Sequence, residues 1–147
     1  MFASFHYSLD RLFHNSYIPQ VEWRVEYTEE FENWWRDLTD DEQAEISAKV
    51  KLLQELGPTL PRPHSDVIVT SRHSNMKELR GKVAEKQLRV LYAFDPKRIA
   101  LLLIGGDKTG NPAWYDQFVP LADDLFDEHL RALEKEKLKE RHRGRRR

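Results

Sequence analysis

Cysteine is absent from this 147-residue chain, which excludes disulfides, thiolate metal ligands and a cysteine nucleophile together. Long apolar runs are missing too. The longest, Ile99–Ile104, has six residues, against the roughly 20 that a membrane-spanning helix requires. The opening MFASFHYSLDRLFHN has no basic stretch leading into an apolar one, so no secretory signal is expected. The six histidines show no metal-ligand spacing, and neither a metal nor another cofactor is expected. Internal repeats are also lacking. These absences point to a cytoplasmic protein without membrane association.

What is present is charge, in blocks. Charged residues make up 33% of the chain and apolar ones 39%, for a net charge of −1. Residues 22–56 hold 11 acids and 4 bases, whereas residues 57–115 hold 5 acids and 10 bases. Residues 116–130 carry 5 acids and no base, and 131–147 carry 3 acids and 9 bases. A basic block between acidic ones is the footprint expected of a polyanion-binding face. The length suits one domain with a real core.

Val21, Trp23, Val25 and Tyr27 alternate with charged residues, the period of a half-buried strand. Thr28 is placed to cap a helix whose Phe31, Trp34, Trp35 and Leu38 share one face. Thr39-Asp-Asp-Glu42 reads as a capping box for a second helix, with Ile46, Val50 and Leu53 as its stripe and Gly57-Pro58 as its stop. The prolines of 58–74 predict mostly loop, with Val67–Val69 as a short strand or buried segment. A hairpin is expected around Gly81-Lys82, joining residues 75–80 to 86–94. Asp95-Pro96 marks a turn. Ile99–Ile104 predicts a central strand buried on both faces, ended by Gly105-Gly106. Pro120 suits the first turn of a last helix, with Ala122, Phe126, His129 and Leu133 on one face. The tail RHRGRRR is expected to be disordered. The predicted class is α+β: a small antiparallel sheet in β-α-α-β-β-β order, two N-terminal helices and a C-terminal helix, with helices on one face. Residues 1–20 form an extension, 21–133 the domain and 134–147 a basic tail.

Met76-Lys77-Glu78-Leu79-Arg80, Leu88-Arg89-Val90-Leu91-Tyr92 and Gly105-Gly106-Asp107-Lys108 together resemble the RelE/ParE superfamily of toxins from type II toxin–antitoxin modules. The HigB-like, phage-derived branch is the nearest, and the stretch from Tyr115 through Pro120 to Leu130 is similar to it as well. The resemblance covers residues 21–133. It implies a RelE-like fold and metal-independent cleavage of messenger RNA, usually on the ribosome. It also implies a cognate helix-turn-helix antitoxin (HigA-like) as partner.

By that resemblance the site residues are Lys77, Arg80, Arg89, Lys108 and Tyr115. His129 in the last helix, and His73 and His64 in a loop near the basic block, are candidates for acid or base. Arg89 suits a phosphorane, because a guanidinium offers a planar, permanently charged fork. Period two places Leu88, Val90 and Tyr92 on the covered side, so Arg89 is expected on an open sheet face, beside Lys77 or Arg80, with little effect on stability. Lys108 offers a point charge, and Tyr115 a proton donor or a stacking surface. Two other readings compete: a ParE-like inhibitor of DNA gyrase without catalysis, and a catalytically inactive relative that only binds nucleic acid.

Overall fold

The computed structural model describes residues 3–4 and 22–145. In chain order these form β1 (Ala3–Ser4), β2 (Val25–Tyr27), α1 (Glu29–Arg36), α2 (Asp40–Leu56) and a 3-10 turn (Gly57–Thr59). Then follow β3 (Ser65–Val67), β4 (Lys77–Val83), β5 (Lys86–Phe94), β6 (Ala100–Asp107) and α3 (Trp114–Arg145). The sheet order is β1-β2-β6-β5-β4-β3. It is antiparallel except where β2 runs parallel to β6, so the α+β sheet is mixed. The rest of the extension expected over residues 1–20 lies outside the described residues.

The two N-terminal helices begin where their sequence asks them to. The Thr28 hydroxyl accepts from the Phe31 N–H at 3.0 Å, and Thr39 and Glu42 close a reciprocal capping box. Their apolar stripes place Phe31, Ile46, Val50 and Leu53 against Leu79, Leu88, Val90, Tyr92 and Leu102 on one sheet face. The expectation that all helices share that face is corrected. α3 covers the opposite face, where Trp114, Val119, Ala122 and Phe126 meet Leu91, Ala93, Leu101 and Leu103. Strands β5 and β6 are apolar on both sides, and each side needs its own cover.

A register shift divides β6. Leu91 pairs with Ile104 but Tyr92 pairs with Leu102, so Leu103 is extra, and both Leu103 and Ile104 pack on the α3 side. Past this bulge, Gly105 and Gly106 continue the strand instead of ending it. A Cβ on Gly105 would lie 2.2 Å from Trp34 Cε3, and one on Gly106 would lie 2.6 Å from Trp114 Nε1. The two bare positions therefore admit one tryptophan on each face.

The hairpin turn also moves. β4 runs through Gly81 and Lys82 and turns at Ala84-Glu85, with Ala84 in the left-handed region (φ 52°). Gly81 serves packing: a Cβ there would sit 3.1 Å from Glu45 Cγ and Ile46 Cδ1 of α2. Pro120 falls inside α3, because the helix starts at Trp114. The tail expected to be disordered continues α3 as exposed helix to Arg145. No described helix is long and apolar enough to cross a membrane.

Gly105→Ala is expected to lower stability by about 1–3 kcal/mol, since the methyl group meets a ring packed on backbone and not a flexible chain end. Chemical denaturation read by tryptophan fluorescence checks this. An unchanged midpoint would mean that Trp34 can move aside.

Candidate functional site

At the end of the sheet carrying Gly105 and Gly106, α3 has only begun. Glu78 and Arg80 alternate onto one sheet face from β4, and Arg89 comes from β5 directly opposite Arg80. Arg89 also lies opposite Gly106. The indole of Trp114 occupies the space over that glycine and delivers the next residue, Tyr115, to Arg89.

The node of the cluster is Glu78, only 3% exposed. Arg89 Nε pairs with Glu78 Oε1 at 2.9 Å. The Tyr115 hydroxyl donates to Oε1 at 2.7 Å and lies 3.2 Å from Oε2. Arg89 Nε also reaches the Tyr115 oxygen at 3.4 Å, and a second guanidinium nitrogen donates to the Leu88 carbonyl at 2.9 Å. Arg80 approaches Glu78 at 3.8 Å and is anchored to Asp66 at 3.0 Å. Asp66 is shared with Arg62 at 2.9 Å. The Arg62 hydrogen bond, followed by the Val67 N–H, holds the Asp66 carboxyl below the usual range. Burial, then the hydrogen bond to Glu78, pushes the Tyr115 phenol up, so Tyr115 keeps its proton and acts as a donor. Lys108, in the loop between β6 and α3, holds its ammonium 5.6 Å from the Tyr115 ring centroid.

Four of the expected residues, Arg80, Arg89, Lys108 and Tyr115, thus converge. Lys77 does not join them. It shares the parity of Leu79, which turns it toward the α1–α2 side, where its ammonium donates to the Pro58 carbonyl at 2.9 Å. Arg89 is not an exposed arginine on a wholly open face either: its side chain is 11% exposed and locked to Glu78. The histidines separate. His129 binds Asp95 at 2.8 Å, just past the end of β5, six residues and so about 20 Å from Arg89. His73 binds Asp127 at 2.7 Å on the α3 side. His64 lies nearest, with its carbonyl accepting from Arg80 N–H at 2.9 Å and Nδ1 2.8 Å from the Lys49 ammonium.

Glu78 was not among the site residues expected from the sequence. Its signal was there: an acid within a basic block, two residues before Arg80 and therefore on the same strand face. A cleft of about 330 Å³ opens beside the cluster, lined by Lys49, Arg80, Lys82, Gln87 and Arg89 with Glu45.

Comparison with known proteins shows the family. Residues 33–127 match the family described as "Phage derived protein Gp49-like (DUF891)". The chain belongs to that phage-derived family. It is 46% identical to the Mycobacterium tuberculosis protein named "Putative toxin HigB3" over 100 residues, covering 67% of this chain and 86% of the relative. It is 39% identical to "Putative toxin HigB2" from the same organism over 125 residues, 84% of this chain. The match spans 62% of the length of HigB2. The HigB-like branch read from the sequence is therefore the right one. A solved structure, the archaeal RelE–RelB complex from Pyrococcus horikoshii OT3, aligns with a TM-score of 0.45 at 20% identity, over 60% of this chain and 97% of that one.

Glu78→Leu is expected to lower stability by about 3–5 kcal/mol by leaving Arg89 buried without its counter-charge, and Glu78→Gln by about 1–3 kcal/mol. Equal losses in thermal melts of the two variants would show that shape, not charge, matters at this node.

A second expectation concerns Asp95. Burial is the largest influence and raises its pKa, but the His129 hydrogen bond and the N–H groups of Ile99 and Lys97 outweigh it, leaving the carboxyl below its ordinary value. A depressed folded pKa gives stability that is complete above about pH 5 and is lost as pH falls through 4 and past the folded value. Asp95→Asn should remove that acid-side slope from a stability–pH profile. A slope that survives the substitution would assign it to other carboxylates.

Proposed function

We propose that this chain is the toxin of a type II toxin–antitoxin pair, a metal-independent endoribonuclease that cleaves messenger RNA, bound to the ribosome in the cytoplasm. A cognate helix-turn-helix antitoxin (HigA-like) holds it silent. Family membership and relatives named as toxins support the first part. One observation carries the catalytic part: Arg80, Arg89, Lys108 and Tyr115 converge at the end of the sheet where α3 begins, beside a cation-lined cleft.

In this reading the 2′-hydroxyl of the RNA loses its proton and attacks the adjacent phosphorus. A phosphorane forms, and the bond to the 5′-oxygen breaks to leave a cyclic phosphate. Arg89, Arg80 and Lys108 meet the extra negative charge. Tyr115, which keeps its proton at neutral pH, protonates the departing 5′-oxygen. The arginines cannot accept the 2′-hydroxyl proton, and Asp66 is a poor acceptor because Arg62 holds it low. Glu78 and His64 are the neighbouring groups left for that role. Glu78 also positions both Arg89 and Tyr115 through its two oxygens.

Arg89→Ala is a poor test, because it strands the buried Glu78 carboxylate and threatens the fold. Lys108 has no carboxylate partner among the described residues, so Lys108→Ala should leave melting within about 0.5 kcal/mol. Cleavage of translated messages, mapped by primer extension, should fall by roughly 100- to 1,000-fold. Tyr115→Phe should slow the same step. The proposal fails if the wild-type chain, expressed alone, arrests growth while DNA supercoiling collapses and messages survive. That outcome is the ParE-like one.

A further inference from the structure

Beyond the cluster, no strand among the described residues pairs with the outer side of β4. β3 pairs only as far as Ser65 with Leu79, and Arg80 takes the His64 carbonyl. Two rungs on, toward the hairpin turn, Lys82 pairs with Gln87, just as Arg80 pairs with Arg89. By period two, Lys82 and Gln87 stand on the same face as Arg80 and Arg89, one step further from α3. Both are exposed, and both line the cleft of about 330 Å³.

The two rungs differ in how their charges are used. Arg80 and Arg89 are tied to Asp66 and Glu78. Lys82 has no carboxylate within ion-pair distance among the described residues. The one acid lining the cleft among the described residues, Glu45, instead accepts the backbone N–H of Lys82 at 2.7 Å. That bond fixes the strand edge and leaves the ammonium unneutralised. A lysine held in register but without a counter-charge is available for an external anion, and Lys49 adds a second cation on the α2 wall.

The geometry points to a second phosphate subsite at Lys82, with Gln87 beside it, that takes the RNA phosphate adjacent to the one under attack. The inference rests on the ribonuclease reading and deepens it by giving the substrate a direction, along β4 and β5 away from Tyr115. Two residues of strand span about 6.7 Å, close to the step between neighbouring phosphates on an extended RNA chain. The Gln87 carboxamide, which both donates and accepts, suits a 2′-hydroxyl next to that phosphate.

The test uses the full chain and a short single-stranded 2′-O-methyl RNA, which cannot supply the attacking hydroxyl and so reports binding alone. Lys82→Gln should weaken binding by about 3- to 10-fold and reduce the slope of log K against log salt by about 0.7, as loss of one phosphate contact on a single strand requires. On cleavable RNA it should raise KM more than it lowers kcat. Glu45→Gln, which can still accept from the Lys82 N–H, should tighten binding. Unchanged affinity and salt slope in Lys82→Gln would overturn the subsite, as would binding of an acidic peptide in place of the RNA. If the wild-type chain binds the 2′-O-methyl RNA through Lys82 yet cleaves no unmodified RNA, the subsite stands and the nuclease reading falls. Normal cleavage with an indifferent Lys82→Gln would remove the subsite alone.

Discussion

Two glycines at the end of the central strand carry the constraint on which the rest of the molecule depends. Gly105 and Gly106 leave bare backbone on opposite faces of β6, and Trp34 of α1 and Trp114 of α3 close on them from the two sides. Backbone can be approached this closely only where no Cβ intervenes. The contact joins both hydrophobic clusters through one strand and sets where α3 must begin. With Trp114 seated, Tyr115 can reach only the neighbouring Arg89 and Glu78, and Lys108 must cross above its ring. The position of the candidate site thus follows from packing between rings and backbone.

The charge arrangement shows the tension between stability and function. A carboxylate as enclosed as Glu78 is tolerated because Arg89 and the Tyr115 hydroxyl meet it directly. That neutralisation also restrains the two groups best suited to a phosphorane. Preorganisation is the gain: donors already held in place need little rearrangement when charge develops. Lys108 and Lys82, with no acid of their own among the described residues, supply the net positive field that the paired arginines cannot. The cation-lined cleft is therefore built from two populations, one locked into the fold and one left for a ligand.

Much of the local structure was legible. Thr28 and the Thr39–Glu42 box announce helix starts because a side-chain oxygen there satisfies backbone N–H groups within the same turn. The six apolar residues of Ile99–Ile104 announce a strand covered on both sides. Pairing Lys77 with Arg80 failed because they have opposite strand parity, and the register that turns Lys77 toward Pro58 was not visible. The hairpin turn was misplaced because Gly81 looks like a turn residue, when its missing Cβ makes room for α2. Pro120 misled in the same manner: propensity marks it as a helix start, but tryptophan packing set the start six residues earlier.

The sequence by itself determined the element order, the capped helices, the two-sided central strand, the basic block and membership of the phage-derived family. These rest on interactions within a few residues of chain, or on patterns that survive without coordinates. Only the tertiary structure decided which sheet face α3 covers, that Glu78 is the buried centre of the cluster, that His129 belongs to Asp95 at the far end, and which lysines have no acid partner among the described residues. Each of those depends on register between distant strands and on rings packed against bare backbone. A shift of one residue would turn every side chain of a strand to the other face, and local sequence does not encode that choice.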